Sequence, residues 1–294
     1  MARSSLLALA LVACAHSDPR IDDTSRRVGA LEQQLALQQQ KLDELTRAIA
    51  AVDKPKLDAR LDALDAKLER LVQQLPPPRP HRREPDPAAV YAVPIDGDPV
   101  LGPANAKVTL VMCGEFACPY CRRAWSTIDD LRKKYGADLR VVYKSFVVHP
   151  TVAKYPARAA CAANHQGKWR ALADLLWTKA FDTHQFEPAH IDELAAAARL
   201  DMKRYRGDVD GACPAEVERD QAQLTKLGVG ATPTFFINGR FMAGAMPIED
   251  FSKLVDEELA KANAAIAGGE RPETYYEHRV LGKGLTELAP EPPL

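Results

Sequence analysis

Cys118-Pro119-Tyr120-Cys121 is the first place in this chain where residue types and spacing could do chemistry. An apolar, β-branched run precedes it (Ala106 to Cys113, AKVTLVMC), and a helical pattern follows from Arg122 to Tyr135. A CxxC between a strand and a helix puts its first cysteine at the helix N-terminus. There the unpaired N–H groups and the helix dipole stabilise a thiolate. Pro119 is tolerated in the first turn because its missing N–H would have had no partner. Tyr120 is expected to shield part of the site, leaving Cys121 as the less exposed, resolving thiol. A closed zinc centre would need four ligands, as a second CxxC or a paired histidine motif, and the sequence has neither. The expectation is thiol–disulfide chemistry with no metal and no cofactor.

A second signal stands about 110 residues on: Ala231-Thr232-Pro233-Thr234-Phe235-Phe236-Ile237-Asn238-Gly239. Thr234 to Ile237 reads as a strand, and Asn238-Gly239 as a hairpin turn into Arg240-Phe241-Met242. Gly228-Val229-Gly230 is no nucleotide loop, because Pro233 holds the third glycine position and a strand follows where a helix is required. His149, His165, His184 and His190 show no recurring ligand spacing, although His149, before Pro150, could lie near the site. Trp125, Trp169 and Trp177 sit at helical positions and read as core.

Other elements must carry and place these residues. The 294-residue chain has 39 Lys+Arg against 40 Asp+Glu, a balance that argues against a general nucleic-acid binder. Arg3 and the apolar stretch Leu6 to Ala13 have the layout of an export signal over residues 1–14. The stretch ends in Leu11-Val12-Ala13-Cys14, which looks like a lipobox, so Cys14 is the expected lipidation site; cleavage after Ala15 is the rival reading. Either way the chain is expected in the bacterial envelope, facing the periplasm or exterior, where disulfides form.

Residues 18–75 predict a coiled-coil stalk. Val28, Leu31, Leu35, Leu42, Leu45, Ile49 and Val52 recur in steps of three and four, with Gln38 filling one seam position. A second run, Leu57, Leu61, Leu64, Leu68, Leu71 and Leu75, follows a five-residue step that contains Pro55, where the register slips or the helix kinks. The seam leaves dimer and trimer open. Nine of the 22 prolines then fall within 28 residues, which predicts a semi-rigid linker over 76–103.

The span from about Val100 to Leu259 resembles the DsbA-like branch of the thioredoxin-fold disulfide oxidoreductases. The resemblance rests on VTLVMCGEFACPYC, LRVVYKSFVV, CAANHQGKWRALADLLW and GVGATPTFFINGRFMAG. It implies an α/β thioredoxin fold over 104–262 with a helical insertion at about 155–226, behind the α-helical stalk and ahead of a short helix and loose tail (263–294). Carried over, Cys118 is the attacking thiol and Cys121 its resolving partner. Pro233, typically cis in this class, and the backbone of Thr232 would hold a substrate strand, with Phe116 and Tyr120 on an apolar rim. Many relatives place a buried acid six residues before the first cysteine. Met112 stands there in this chain, so Glu115 and Lys144 are the candidate proton relays. Cys161 and Cys213, both inside the predicted insertion, favour a structural disulfide in an oxidising compartment. Closing a loop of about 50 residues would stabilise the fold by roughly 4 kcal/mol on the chain-entropy estimate. Cys113 is left as a buried small hydrophobe.

The reading that follows is an oxidoreductase acting on exported cysteine-containing proteins or peptides. It would be reset by a redox partner, held to a membrane through Cys14, and assembled as a homo-oligomer through the coil. An alternative is a coiled-coil-linked disulfide isomerase, whose joined sites would act at high effective concentration. An alternative of another class is a structural lipoprotein that uses the coil as a partner-binding tether.

Overall fold

The computed structural model describes residues 19–50, 54–74 and 83–288. Two compact units divide the chain, Met1–Arg79 and Pro80–Leu294. The expected leader with Cys14, the residues 51–53 at the coil break, the prolines within 75–82 and the last six residues lie outside the described residues. Among those described, no helix is long and apolar enough to cross a membrane.

The first unit contains helices α1 (Pro19–Ala50) and α2 (Lys54–Gln74). Both are rich in Leu, Ala, Gln, Lys, Glu and Arg, which lose little rotamer freedom in a helix. Pro55 lies in the first turn of α2, where a missing N–H costs no hydrogen bond. The seam positions stand in solvent: Leu31 and Leu42 are each 64% exposed, and Ile49 72%.

The second unit is built on a five-stranded sheet in the order β1-β3-β2-β4-β5. Its strands are β1 (Val100–Leu101), β2 (Val108–Gly114), β3 (Leu139–Ser145), β4 (Thr234–Ile237) and β5 (Arg240–Ala243). β2 and β3 are parallel; β1 runs antiparallel to β3, β4 to β2 and β5 to β4. Every residue of β2 is buried, as expected of a central strand covered on both faces. One face carries Leu110, Met112, Val141, Tyr143 and Phe235 with helices α3 (Pro119–Tyr135) and α9 (Ile248–Ala267). The opposite face carries Val111, Cys113, Val142 and Phe236. Asn238 and Gly239 turn β4 into β5 with φ of +43° and +82°. The Asn238 side chain also accepts from Thr109 N–H at 2.9 Å, tying the turn to β2.

Between β3 and β4 lie α4 (Pro150–Asn164), α5 (Trp169–Leu175), a π-helical turn (Leu176–Phe181), α6 (Pro188–Ala197), α7 (Met202–Asp210) and α8 (Cys213–Lys226). Prolines in the first turns of α3, α4, α6 and α8 mark where those helices start. Helix α7 is absent from the sequence pattern because it is largely polar. It starts at Asp201, whose carboxylate accepts from the N–H groups of Lys203 and Arg204, and buries only Tyr205 and Val209.

Two expectations need correcting. Composition predicts a linker to residue 103, but within it Tyr91, Ala92 and Val93 are buried and Val100–Leu101 is a strand. The prolines alternate there with apolar side chains that cover the second face of the sheet, so burial outweighs extended-chain stiffness. The C-terminal tail is packed as well. After α10 (Pro272–Tyr275) and a second π-helical turn (Tyr276–Leu281), Leu285 pairs with Tyr91. Tyr276 donates its hydroxyl to Val93 O at 2.9 Å.

Candidate active site

Cys118 caps α3 with extended backbone angles (φ −89°, ψ 120°), and Pro119 follows inside the first turn. The sulfur of Cys118 therefore sits where the helix presents its free N–H groups. Its Sγ lies 3.4 Å from the carbonyl oxygen of Thr232. The Thr232–Pro233 peptide is cis and lies across from the helix start. A hydrogen bond from the Cys121 thiol is the main influence lowering the Cys118 thiol to about 6, with Thr232 and the N–H groups of Cys121 and Tyr120 adding to it against the cost of burial. Cys121 has the opposite tendency: burial, then the neighbouring Cys118, pushes it well above its ordinary range. One sulfur is thus poised as a thiolate and the other is kept protonated, which is the asymmetry a two-cysteine exchange site requires. A groove along Gly230 to Thr234, floored by Phe241 and Gly244, opens beside the proline loop.

The residues around the pair occupy different places from those expected. Tyr120 is 55% exposed, with the Arg123 guanidinium 4.9 Å from its ring centroid, so it flanks the site without covering Cys121. Cys121 is instead covered by β2, where Gly114 lies against its sulfur. Phe116, expected on the rim, is fully buried: its ring centroid is 5.3 Å from that of Tyr143 and 4.8 Å from that of Trp177. It belongs to the aromatic floor beneath the site.

The two candidate relays separate. Glu115 is buried, and its Oε2 accepts from the N–H groups of Val148 (2.7 Å) and His149 (3.0 Å), while Oε1 meets His149 Nδ1. This contact raises the His149 imidazole above its usual value, with the nearby Cys118 adding in the same direction. His149 is the residue that sequence reasoning could not place; it caps α4, four residues beyond β3, and its signal was a histidine before the proline that opens that helix. Lys144 is no relay for this pair. It alternates with Tyr143 onto the opposite face of the sheet, level with Cys113 in β2. Its ammonium is fully buried between Asp98 (2.6 Å) and Asp220 (2.9 Å), with Arg219 at 3.7 and 3.4 Å from the same two carboxylates. Burial and the neighbouring Asp220 push Asp98 up from the ordinary carboxylate range, and Lys144 opposes them. Cys113 is free and buried on that face, its thiol pushed up by burial. Cys161 and Cys213 form a disulfide across a Cα–Cα distance of 5.7 Å, joining α4 to α8.

The sequence profile of the family Thioredoxin_4, described as thioredoxin, matches residues 95–257. The chain belongs to this thioredoxin family. Its solved relatives show the same fold. Oxidised BdbD from Bacillus subtilis is 21% identical and superposes at a TM-score of 0.55, covering 60% of this chain and all of its own. ScsC from Proteus mirabilis, in a transitional conformation, is 19% identical with a TM-score of 0.50, covering 77% of this chain and 97% of its own. Among curated proteins, the Na(+)/H(+) antiporter NhaA of Herminiimonas arsenicoxydans is 39% identical over 149 residues, half of this chain. The match spans 23% of that antiporter's length. The thioredoxin-family unit here thus places CPYC and the cis-proline loop side by side above an aromatic floor.

Proposed function

We propose that the protein is an exported thiol–disulfide oxidoreductase acting on cysteine-containing proteins or peptides. The observation that carries this reading is Cys118, a low-pKa thiol at the helix start and 3.4 Å from Thr232 O, beside a buried, protonated Cys121. In the oxidised site a substrate thiolate attacks Cys118 Sγ, the Cys118–Cys121 bond breaks, and Cys121 leaves and takes up a proton. A second substrate thiolate then attacks the substrate sulfur of the mixed disulfide and expels Cys118 as thiolate. The substrate loses two electrons and the site gains them, so a redox partner must remove them for the next cycle. A leaving thiolate of low pKa favours disulfide donation over reduction. The Thr232–Pro233 backbone and its adjoining groove fit an extended substrate segment. The Cys161–Cys213 disulfide suits an oxidising compartment, and Cys14 would supply the lipid anchor there.

The test is oxidation of a reduced, unfolded ribonuclease by the oxidised protein, read as regained ribonuclease activity. Equal rates with Cys118→Ser would overturn the reading.

A second reading, disulfide isomerisation by linked sites, is favoured by the apolar stripe of α1, exposed along Val28, Leu31, Leu35, Leu42, Leu45 and Ile49. Such a stripe is what a parallel partner helix covers in a coiled coil. The chain from residue 18 should then rescue scrambled ribonuclease in a glutathione buffer, and a form starting at residue 80 should not. Equal rescue by both forms would exclude a role for the coil.

A further inference from the structure

The last turn of α4 and the first turn of α8 face each other across the Cys161–Cys213 disulfide. Cys161 and His165 stand at i and i+4 on one helix, and Cys213 and Glu216 at i and i+3 on the other, so each helix offers two side chains on one face. Cys161 Sγ lies 3.8 Å from His165 Nε2 and 3.6 Å from Glu216 Oε2. His165 Nε2 lies 3.0 Å from Glu216 Oε1. The donor atoms of Cys161, His165 and Cys213 all fall within 4.8 Å of one another. A zinc ion with bonds of about 2.3 Å to sulfur and about 2.0–2.1 Å to nitrogen or oxygen has tetrahedral edges of about 3.8 Å (S to S), 3.6 Å (S to N) and 3.3–3.4 Å (N to O). Cys161, His165 and Glu216 already stand near those edges, through the two different oxygens of Glu216. The set within 4.8 Å comprises Cys161, His165 and Cys213, so on reduction the two sulfurs must part and the Glu216 carboxylate must turn toward Cys213.

The surroundings are built as zinc sites are. The other ring nitrogen of His165, Nδ1, lies 3.3 Å from Asp208 Oδ2 on α7. A carboxylate there fixes the ring and its tautomer, leaving Nε2 to bind a metal. Cys213 is fully buried, while His165 and Glu216 keep about a quarter of their side-chain surface in solvent, which leaves an entry path.

We propose that Cys161, His165, Cys213 and Glu216 form a redox-gated zinc site that is closed while the disulfide exists and binds Zn²⁺ once it is reduced. A dithiol reductant breaks the Cys161–Cys213 bond, becoming a disulfide itself and delivering two electrons and two protons to the two sulfurs. Zn²⁺ then displaces both thiol protons to solvent as two Zn–S bonds form. Reoxidation by a disulfide oxidant removes two electrons from the thiolates, re-forms the S–S bond and releases the ion. Metal and disulfide therefore exclude each other. None of this depends on the chemistry of Cys118.

The test uses the full chain carrying Cys118→Ser and Cys121→Ser, so that the CPYC thiols add no ligands. Reduced with a phosphine, it is titrated with Zn²⁺ alone, and separately with Co²⁺ as a spectroscopic probe. The expected result is one equivalent of zinc per chain in the reduced form, absent from the oxidised form, with the intense visible bands of tetrahedral, thiolate-bound cobalt. His165→Ala and Glu216→Gln should each weaken binding at least about 10-fold, and Asp208→Asn about 10–100-fold. Zinc should also raise the melting temperature of the reduced protein and leave the oxidised protein unchanged. Equal zinc binding by the oxidised form, or no retained zinc in a reduced protein with intact circular dichroism, would overturn the proposal. If reduction unfolds the chain, refolding on zinc addition supports the site, and failure to refold overturns it.

Discussion

Gly114 faces the sulfur of Cys121 so closely that a Cβ on the glycine would lie 3.1 Å from Sγ. That Cβ would also lie 3.4 Å from Met112 Cε and 3.7 Å from a Tyr143 ring carbon, so its space is closed on three sides. The Cys121 thiol is therefore seated by the absence of a side chain at the end of β2. Gly114→Ala should destabilise the reduced protein by about 1–3 kcal/mol through overpacking. Urea unfolding at constant m would measure that cost. Alkylation of Cys121, after Cys118 is blocked, should change rate; wild-type stability and rate would sink the idea.

Cys118 and Cys121 should separate under titration. The thiolate absorbance of the reduced protein should rise with a midpoint of about 6, and Cys118→Ser should remove that step. The folded value is below the ordinary 9.0, so this group adds stability to the reduced form that is complete above about 9 and is lost as pH falls through about 6. Given a disulfide-bonded substrate, Cys121→Ser should accumulate a mixed disulfide through Cys118, seen on a non-reducing gel, because the Cys121 thiol that would release the reduced substrate is gone.

His149 works in the opposite direction. Its folded value is raised above 6.5, chiefly by the Glu115 carboxylate, so its contribution is present below about 6.5 and disappears as pH rises through the raised value. Glu115→Gln should return the imidazole midpoint toward 6.5, followed by proton NMR of the ring. The same variant should shift the Cys118 midpoint upward, since a protonated His149 favours the nearby thiolate. An unmoved Cys118 midpoint would confine Glu115 to holding the turn between β3 and α4.

The buried cation on the other face should be the most sensitive polar position. Lys144→Met leaves Asp98 and Asp220 with the half-exposed Arg219 and, for Asp220, the Ser145 N–H. Stranding buried carboxylates in this way costs about 3–5 kcal/mol. The loss should shrink in acid, because Asp98, already raised by burial, takes up a proton more readily once the ammonium is gone. Denaturation at two pH values distinguishes this from a packing defect, whose cost would not change with pH. Turnover by the folded fraction should stay near wild type, since Lys144 faces away from Cys118.

The thiol pair and the TPTFF strand were legible in the sequence because their chemistry is local: a cap, a first-turn proline, an Asn-Gly turn. The role of Lys144 was not, because both faces of β3 are covered and its partners lie 46 and 76 residues away in the chain. A lone lysine in an apolar strand announces a buried counter-charge without saying on which side. Phe116 misled for a related reason. Adjacency to CPYC gives no direction, and the loop from Glu115 to Ala117 turns its ring down onto Tyr143 and Trp177. Residues 84–103 were hidden by composition, since proline content masked the apolar side chains between the prolines.

The Tyr91–Leu285 pairing also governs where this unit can be cut and rejoined. Ala92 N–H donates to Leu285 O and Leu285 N–H to Val90 O, each at 2.8 Å. Farther out, a Cβ at Gly228 would meet both the Arg83 carbonyl oxygen (3.4 Å) and Leu288 Cδ1 (3.0 Å). The ends of the domain thus meet at one spot, and a short bridge could join them. The backbone could then be opened at a surface loop such as Gln166–Gly167, giving a circularly permuted protein in which the N-terminal helices are attached at a new site while the thiol pair keeps its setting.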